Sequence, residues 1–214
     1  MFNFGKNKKS NDQLDFLAIG DVVIDDFIQL SDVRIDTDPD EGDRGNKEIC
    51  FRFGEKIEFD QSIVVPAVGN SSNAAVSAHR LGLNAASYTN IGDDLRGEMI
   101  LKAIKDEGMT TDYVNVQPGK ISNYHFVLRY GPERTILVRH EDYEYSLPDF
   151  KTPPRYIYFS SIGENAVDFH QEVADYCNNH ETKLVFQPGT FQIKLGLEKL
   201  GYMYEAADLF FCNK

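Results

Sequence analysis

The sequence predicts an α/β fold in which a mostly parallel central sheet is covered by helices on both faces. Short apolar runs alternate with amphipathic stretches from residue 14 onward in the chain of 214 residues, a pattern typical of successive strand–helix–strand units. The apolar runs show no polar alternation, as expected for strands buried on both faces. Two groups of strand-like segments have no helix between them, and they predict a smaller antiparallel sheet set apart from the first.

The elements of the central sheet follow from apolar periodicity and from start and stop signals. The predicted strands are residues 14–19, 86–91, 155–159, 184–186 and 208–212, and the predicted helices are residues 71–81, 95–107, 167–179 and 193–200. The first helix has a polar entry at Asn70 or Ser71 and a glycine exit at Gly82, which are ordinary helix boundaries. The last strand, DLFFC, is continuously apolar, so we expect it in the interior of the sheet.

The smaller sheet is predicted from segments that lack intervening helices. They are residues 22–30, 48–53 and 57–65, followed by residues 124–130 and 134–140. The last two are joined by Gly131-Pro132-Glu133, a good tight turn. Residues 1–13 are predicted to be a flexible lead-in, and residues 14–214 a single domain.

Composition and charge exclude several classes of function. The net charge is −12 and the sequence pI is near 4.8, which argues against nucleic acid and anionic membranes as partners. No apolar run approaches the ~20 residues of a membrane span. Three widely spaced cysteines and no export signal predict reduced thiols in the cytoplasm. The cysteines and five histidines show no metal-ligand spacing, so we expect no metal centre.

An acidic segment, Asp36–Asp43, partly resembles a calcium loop. Asp36, Asp38 and Asp40 mimic the first three ligands of an EF-hand. However, Glu41 stands where the turn needs glycine, and Lys47 stands where the bidentate glutamate belongs. We therefore expect a solvated loop there.

Polar residues gather at the entrance to the first helix, in the sequence VGNSSNAA (Val68–Ala75). Gly69 would let the backbone approach a ligand, and Asn70 and Asn73 bring amide groups to the helix start. The unpaired N–H groups of a first turn bind hydroxyls or anions. A plain helix cap behind a glycine turn is the alternative reading of the same residues.

Two further motifs contain carboxylates. In GDVVID, Asp25 lies in an apolar run, and a carboxylate there either reaches solvent on a strand edge or binds a ligand hydroxyl. In IGDDLRG, Gly92 ends a strand, and Asp93 or Asp94 is predicted to cap the next helix.

The order of these motifs resembles the N-terminal part of the ribokinase/PfkB family of carbohydrate and nucleoside kinases. The motifs are GDVVID, VGNSSNAAVSAHRLG, IGDDLRG and ADLFFCN, and the resemblance extends from about Leu14 to the last residue. It implies a ribokinase-like three-layer core with a small antiparallel lid, whose strands would come from about residues 22–66 and 113–140. It also implies that Asp25, Gly69, Asn70 and Asn73 bind the sugar.

The resemblance further implies an ATP-dependent carbohydrate kinase that uses Mg²⁺, with Asn213 in the motif that organises magnesium and phosphate. The family's GAGD motif, which carries the general base, has no counterpart in this sequence, so we assign no catalytic residue here. The expectation is of a truncated chain that supplies the sugar-binding part and is inactive alone. A nucleoside kinase and a non-catalytic sugar-binding fragment remain alternatives, and the family also implies a homodimer through the lid.

Overall fold

The computed structural model describes residues 13–37 and 47–212. Within these ranges the chain forms twelve strands and four helices. The strands are β1 (Phe16–Ile19), β2 (Val23–Leu30), β3 (Arg34–Thr37), β4 (Lys47–Cys50), β5 (Phe59–Val68), β6 (Ala85–Gly92), β7 (Val114–Gln117), β8 (Tyr124–Tyr130), β9 (Glu133–Arg139), β10 (Tyr156–Phe159), β11 (Lys183–Phe186) and β12 (Leu209–Phe210). The helices are α1 (Asn70–Arg80), α2 (Leu95–Asp106), α3 (Val167–Asn179) and α4 (Thr190–Ala206). Most of the predicted lead-in, most of the acidic loop and Asn213 lie outside the described residues.

The central sheet has the strand order β12-β11-β10-β1-β6-β7. All of its neighbouring strands run parallel, as predicted. In the middle of the sheet, Leu17 of β1 lies between Ile157 of β10 and Ala86 of β6. All three side chains are fully buried, which is why their strands read as apolar runs.

Helices cover both faces of this sheet, which confirms the three-layer prediction. Alternate residues of β1 point to opposite faces. Leu17 and Ile19 pack in one apolar cluster with side chains of α3 and α4, including Phe169 and Met203. Ala18 packs in the other cluster with side chains of α1 and α2.

A second sheet, which we call the lid sheet, has the order β5-β2-β8-β9. It is the small antiparallel sheet predicted from the sequence, with antiparallel pairs β2–β5 and β8–β9 and one parallel pair, β2–β8. The segment predicted as residues 48–53 forms β4, which pairs with β3 in a separate two-stranded unit rather than with the lid sheet.

The last strand differs from its prediction. Within the described residues, β12 is two residues long and pairs only with β11, so it lies at the edge of the sheet and not in its interior. Leu209 and Phe210 are accordingly 52% and 46% exposed. Leu209 and Phe210 do form a strand, but one edge of this strand has no neighbouring strand among the described residues.

Gly97 in the first turn of α2 fits a space that no larger residue could occupy. A Cβ atom there would lie 2.2 Å from the carbonyl oxygen of Gly92 and 3.2 Å from Ser122 Oγ. We expect Gly97→Ala to lower the free energy of unfolding by about 3 kcal/mol or more, because backbone must shift to relieve the overlap. Urea denaturation followed by circular dichroism measures this.

Gly201→Ala in α4 is the matched control. A Cβ atom at Gly201 meets nothing within 4 Å, so alanine is expected to be neutral or to stabilise the helix by up to about 1 kcal/mol. Equal effects of the two substitutions would contradict the close approach at Gly97.

Candidate functional site

Asp25 lies on β2 of the lid sheet, opposite Val65 of β5 and beside His125 of β8. Its Oδ1 atom is buried and accepts no hydrogen bond from the described residues. His125 Nδ1 lies 3.2 Å from this oxygen, and burial lowers the pKa of His125. A buried carboxylate oxygen without a donor is costly. The Asp25 side chain as a whole is 21% exposed, so its carboxylate is suited to accept a hydrogen bond from a ligand hydroxyl.

The neighbouring carboxylate, Asp26, has its partners within the protein. Its Oδ2 accepts a hydrogen bond from Tyr124 Oη at 3.1 Å, and its Oδ1 accepts one from Ser62 Oγ. The guanidinium of Arg96 lies 4.2 Å from the centre of the Tyr124 ring. Of the two adjacent acids, only Asp25 has a buried oxygen left without a donor.

The start of α1 lies against the segment that follows β1. Gly69 has φ 126°, and a Cβ atom there would lie 2.8 Å from the carbonyl oxygen of Asp21. Both facts require glycine. Gly69 is the N-cap residue of the helix, and no side chain caps its first turn. Ser72 Oγ instead donates to the carbonyl oxygen of Ala67 at 2.6 Å, and Ala67 itself has a positive φ of 58°.

The strand pairing brings Gly69 close to β2, because Val68 is paired with Val23. Asn70 and Asn73 lie in the first turns of α1 and are exposed. Asn73 borders a groove of about 360 Å³ that also contacts Arg80 and Glu107. No contact recorded among the described residues joins either asparagine to Asp25, and their binding roles stay predictions.

The side chains of two serines lie next to Gly20, which follows β1 at its carboxyl end. A Cβ atom at Gly20 would lie 2.7 Å from Ser160 Oγ and 3.0 Å from Ser71 Cβ. Both serines are fully buried, and neither hydroxyl has a partner among the described residues. β1 lies where the strand order reverses, between β10 and β6. Ligands of open α/β sheets bind in the crevice at such a switch point.

A connected set of side chains, which we call the histidine bridge, was not predicted. It consists of Asp25, His125, His140 and Asp21. The Nε2 atoms of the two histidines lie 3.1 Å apart, and His140 Nδ1 lies 3.9 Å from Asp21 Oδ2. Tyr145 Oη donates to Asp21 Oδ1 at 3.1 Å. Burial, followed by the charge of Asp21, raises the pKa of Tyr145 far above its ordinary value, so this hydroxyl stays a donor.

Asp94 caps α2, as the IGDDLRG motif predicted. Its Oδ1 accepts hydrogen bonds from the Gly97 N–H at 2.9 Å and from Ser122 Oγ at 2.7 Å, and its Oδ2 accepts one from the Ser122 N–H at 3.2 Å. Burial alone would raise the pKa of Asp94, but these hydrogen bonds outweigh it and lower the pKa below its ordinary value. The contact with Ser122 also ties α2 to the segment before β8.

We expect Asp94→Asn to reduce the free energy of unfolding at neutral pH by about 0.5–2 kcal/mol, the usual value of a helix cap. Because the native pKa is depressed, the carboxylate stabilises the fold above its unfolded pKa, and this contribution disappears as the pH falls through the native pKa. Denaturation at pH 7 and at about pH 3 measures both values. A difference between wild type and variant that stays constant with pH would contradict the assignment.

The described residues contain no group of three or more His, Cys, Asp or Glu side chains arranged to hold a metal ion. No helix within the described ranges is long and apolar enough to cross a membrane.

Comparisons with known proteins agree with this architecture. The family profile "pfkB family carbohydrate kinase" matches residues 44–214. The ribokinase of Bacillus subtilis (strain 168) is 28% identical over 145 residues, which are 64% of this chain and 48% of that protein. The chain thus spans about half the length of this curated relative.

Solved structures with the same fold include two nucleoside kinases and a ribokinase. The nucleoside kinase of Methanocaldococcus jannaschii, an archaeal member of the ribokinase family, has a TM-score of 0.70 at 13% identity, over 93% of this chain and 60% of that one. The ribokinase of Cryptococcus neoformans var. grubii in complex with ADP has a TM-score of 0.64 at 17% identity, over 91% and 55%. The nucleoside kinase of Burkholderia thailandensis in complex with inosine has a TM-score of 0.64 at 14% identity, over 91% and 59%.

Proposed function

This chain belongs to the pfkB family of carbohydrate kinases, and from that premise we propose that it supplies the sugar-binding part of an enzyme that phosphorylates a sugar hydroxyl with ATP. The observation that carries the proposal is Asp25 Oδ1, a buried carboxylate oxygen without a donor. A sugar hydroxyl donating to the exposed part of this carboxylate, whose side chain is 21% exposed, would supply a hydrogen bond that the described residues do not. Carboxylates that accept hydroxyl donors bind more strongly than neutral acceptors do.

In this proposal the residues of this chain bind and orient the acceptor. Asp25 accepts from one hydroxyl, and Gly69, by letting the backbone before α1 pack against Asp21, would place its own backbone beside the sugar. Asn70 and Asn73 offer amide donors and acceptors, together with the unpaired N–H groups that begin α1. Holding the hydroxyl in place contributes to the rate only when the phosphoryl donor is also bound. None of these four residues is proposed to be the general base.

ATP and Mg²⁺ are proposed from family membership, and when bound they would supply the phosphoryl group and neutralise its charge. The Cryptococcus relative was solved with ADP. The described residues offer no cluster of acids for a metal, so they do not fit a magnesium site by themselves. Within this chain only Asn213, outside the described residues, is proposed to contact the nucleotide and metal.

A nucleoside kinase is the second candidate. Its support is that two solved nucleoside kinases share the fold, one of them with inosine. Gly69, Asn70 and Asn73 would then contact the ribose ring of a nucleoside. A sugar-binding fragment without catalysis is the third candidate, since no GxGD sequence occurs in the 214 residues.

We also propose a homodimer formed through the lid sheet, and a cytoplasmic location. The lid sheet exposes large apolar side chains, among them Ile63, Phe126 and Leu137, which are 50%, 40% and 53% exposed. Exposed apolar groups on one sheet favour association.

The described cysteines are all free thiols, which is typical of a reducing compartment. The charge of −12 supports small-molecule partners rather than nucleic acids or membranes.

Isothermal titration calorimetry of this chain with ribose, fructose and inosine tests the proposal. We expect one of these compounds to bind with one site per chain, because Asp25 needs a hydroxyl donor. Inosine binding more tightly than ribose would select the nucleoside kinase. Sorbitol, an open-chain polyol, is the control for unspecific hydroxyl binding. Failure of all three compounds to bind, or equal binding of sorbitol, would contradict the assignment.

A further inference from the structure

The two rings of the histidine bridge are joined by one hydrogen bond, between their Nε2 atoms. Each Nδ1 faces a carboxylate: His125 Nδ1 lies 3.2 Å from Asp25 Oδ1, and His140 Nδ1 lies 3.9 Å from Asp21 Oδ2, which is beyond direct hydrogen-bond distance. Two neutral imidazoles carry one N–H each, and the hydrogen bond between the rings uses one of these hydrogens, so one Nδ1 has no proton. One added proton supplies the missing Nδ1–H. Each Nδ1–H then faces a carboxylate, and the remaining hydrogen lies between the rings.

A second added proton does not fit this geometry. It would place two N–H groups against each other across the 3.1 Å that separates the Nε2 atoms. Burial lowers the pKa of His125, and the charge of His140 lowers it further, although Asp25 acts in the opposite direction. The bridge therefore holds one positive charge or none.

Other charged groups around the bridge are already paired. Tyr145 donates to Asp21. Glu141, next to His140, lies 3.7 Å from Lys120 Nζ and 3.9 Å from the Arg139 guanidinium. The charges that face the two rings are thus Asp25 on β2 and Asp21 after β1. The His125 side chain is 15% exposed and that of His140 is 39% exposed, so protons reach the bridge through His140.

We propose that His125 and His140 bind protons as one unit and position the Asp25 carboxylate, so that proton uptake by the pair weakens binding of the acceptor hydroxyl. The effect on binding rests on the proposed function, in which Asp25 holds the acceptor. In the charged pair, the Nδ1–H of His125 carries part of the positive charge and faces Asp25 Oδ1, which makes the whole carboxylate a weaker acceptor for a ligand hydroxyl. In the neutral pair the carboxylate is a stronger acceptor. His125 is a positioning residue, because it acts through Asp25.

Nitrogen-15 NMR of the imidazoles in this chain, titrated from about pH 8 to about pH 5, tests the shared proton without any ligand. The range spans the ordinary histidine pKa. We expect the signals of His125 and His140 to move together in one step that takes up one proton. In His140→Gln we expect His125 to titrate alone. His180→Gln, which removes an exposed histidine outside the bridge, is expected to change nothing.

Independent titration of the two histidines, each unaffected by replacing the other, would overturn the proposal. So would a joint step that disappears after treatment with EDTA, because a bound cation rather than a proton would then join the rings. Amide spectra of each variant show whether it is folded. If His140→Gln is not folded, His125→Gln supplies the reciprocal measurement on His140.

Calorimetry with ribose and inosine at the same pH values tests the effect on binding. We expect the affinity of whichever compound binds to fall about fivefold or more between pH 8 and pH 5.5, within the usual range of coupling between two sites. His125→Gln should remove this dependence. Affinity independent of pH would overturn the coupling to binding while leaving the proposed function intact. No binding at any pH would contradict the proposed function, and the NMR titration would still decide whether the proton is shared.

Discussion

Replacing Asp25 by Asn is expected to weaken binding of the sugar or nucleoside by about 10- to 150-fold, which corresponds to about 1.5–3 kcal/mol for a hydrogen bond to a charged group. The reason is that Asp25 Oδ1 is buried and accepts no hydrogen bond from the described residues. The amide keeps the size of the side chain and removes the charge. Calorimetry with ribose and inosine measures the change. In an enzyme that includes the nucleotide-binding part, nucleotide binding should stay nearly intact.

Asp26→Asn is the matched control for this substitution. Asp26 is the next residue on the same strand, but its carboxylate accepts from Tyr124 and Ser62. We expect its replacement to lower stability and to leave the acceptor affinity within about twofold, because successive side chains of a strand point to opposite faces of the sheet. If Asp25→Asn leaves the affinity unchanged, or if both variants lose the same affinity, Asp25 has a structural role on the strand and does not bind the acceptor.

A preparation of these 214 residues is expected to transfer no phosphate from ATP above the uncatalysed rate. No GxGD sequence is present, and in this family that motif carries the base and the amides that stabilise the developing charge. General base catalysis typically contributes 10²–10⁴-fold, and one donor to the developing charge about 10²–10³-fold. A coupled assay of ADP release with pentoses, hexoses and nucleosides measures the rate.

Fusion of a GxGD-containing segment from the Bacillus subtilis relative is the positive control for this assay. We expect turnover to appear in the fused protein and to be lost again when the aspartate of that motif is replaced by asparagine. Turnover by the 214 residues alone would mean that a carboxylate such as Asp21 or Asp25 acts as the base. The assignment of Asp25 to binding alone would then be wrong.

The parallel core could be predicted because its signals are local. β1, β10 and β11 are apolar and buried after their first residue. Gly69 precedes α1, and Asp94 and Glu107 flank α2. Two strands were not predicted. β7 (VNVQ) and β3 (RIDT) are short, with two apolar residues in β7 and one in β3. Such strands form because a neighbouring strand supplies hydrogen-bonding partners for their backbone. The local sequence pattern does not show which strand will be the neighbour.

The site could be predicted only in part, for the same reason. Asp25 and Gly69 stand out locally, one as an acid among apolar residues and the other as a glycine before a helix. His125 and His140 do not, since nothing in the sequence around them distinguishes them: His125 lies in β8, and His140 directly follows β9. His125 meets Asp25 because β8 pairs with β2 across 100 residues of chain. The β8–β9 turn then returns His140 to His125.

The central position of β1 also determines when this domain can fold during synthesis. β1 pairs with β10, and the contact of Asp15 with Arg155 at the start of the two strands joins residues 140 positions apart. At about 5–20 residues per second, roughly 7–28 s pass between synthesis of β1 and synthesis of its partner. During that interval Leu17 and Ile19 lack half of their core. The core around β1 is therefore completed only after β10 and the helices α3 and α4 that follow it have been synthesised.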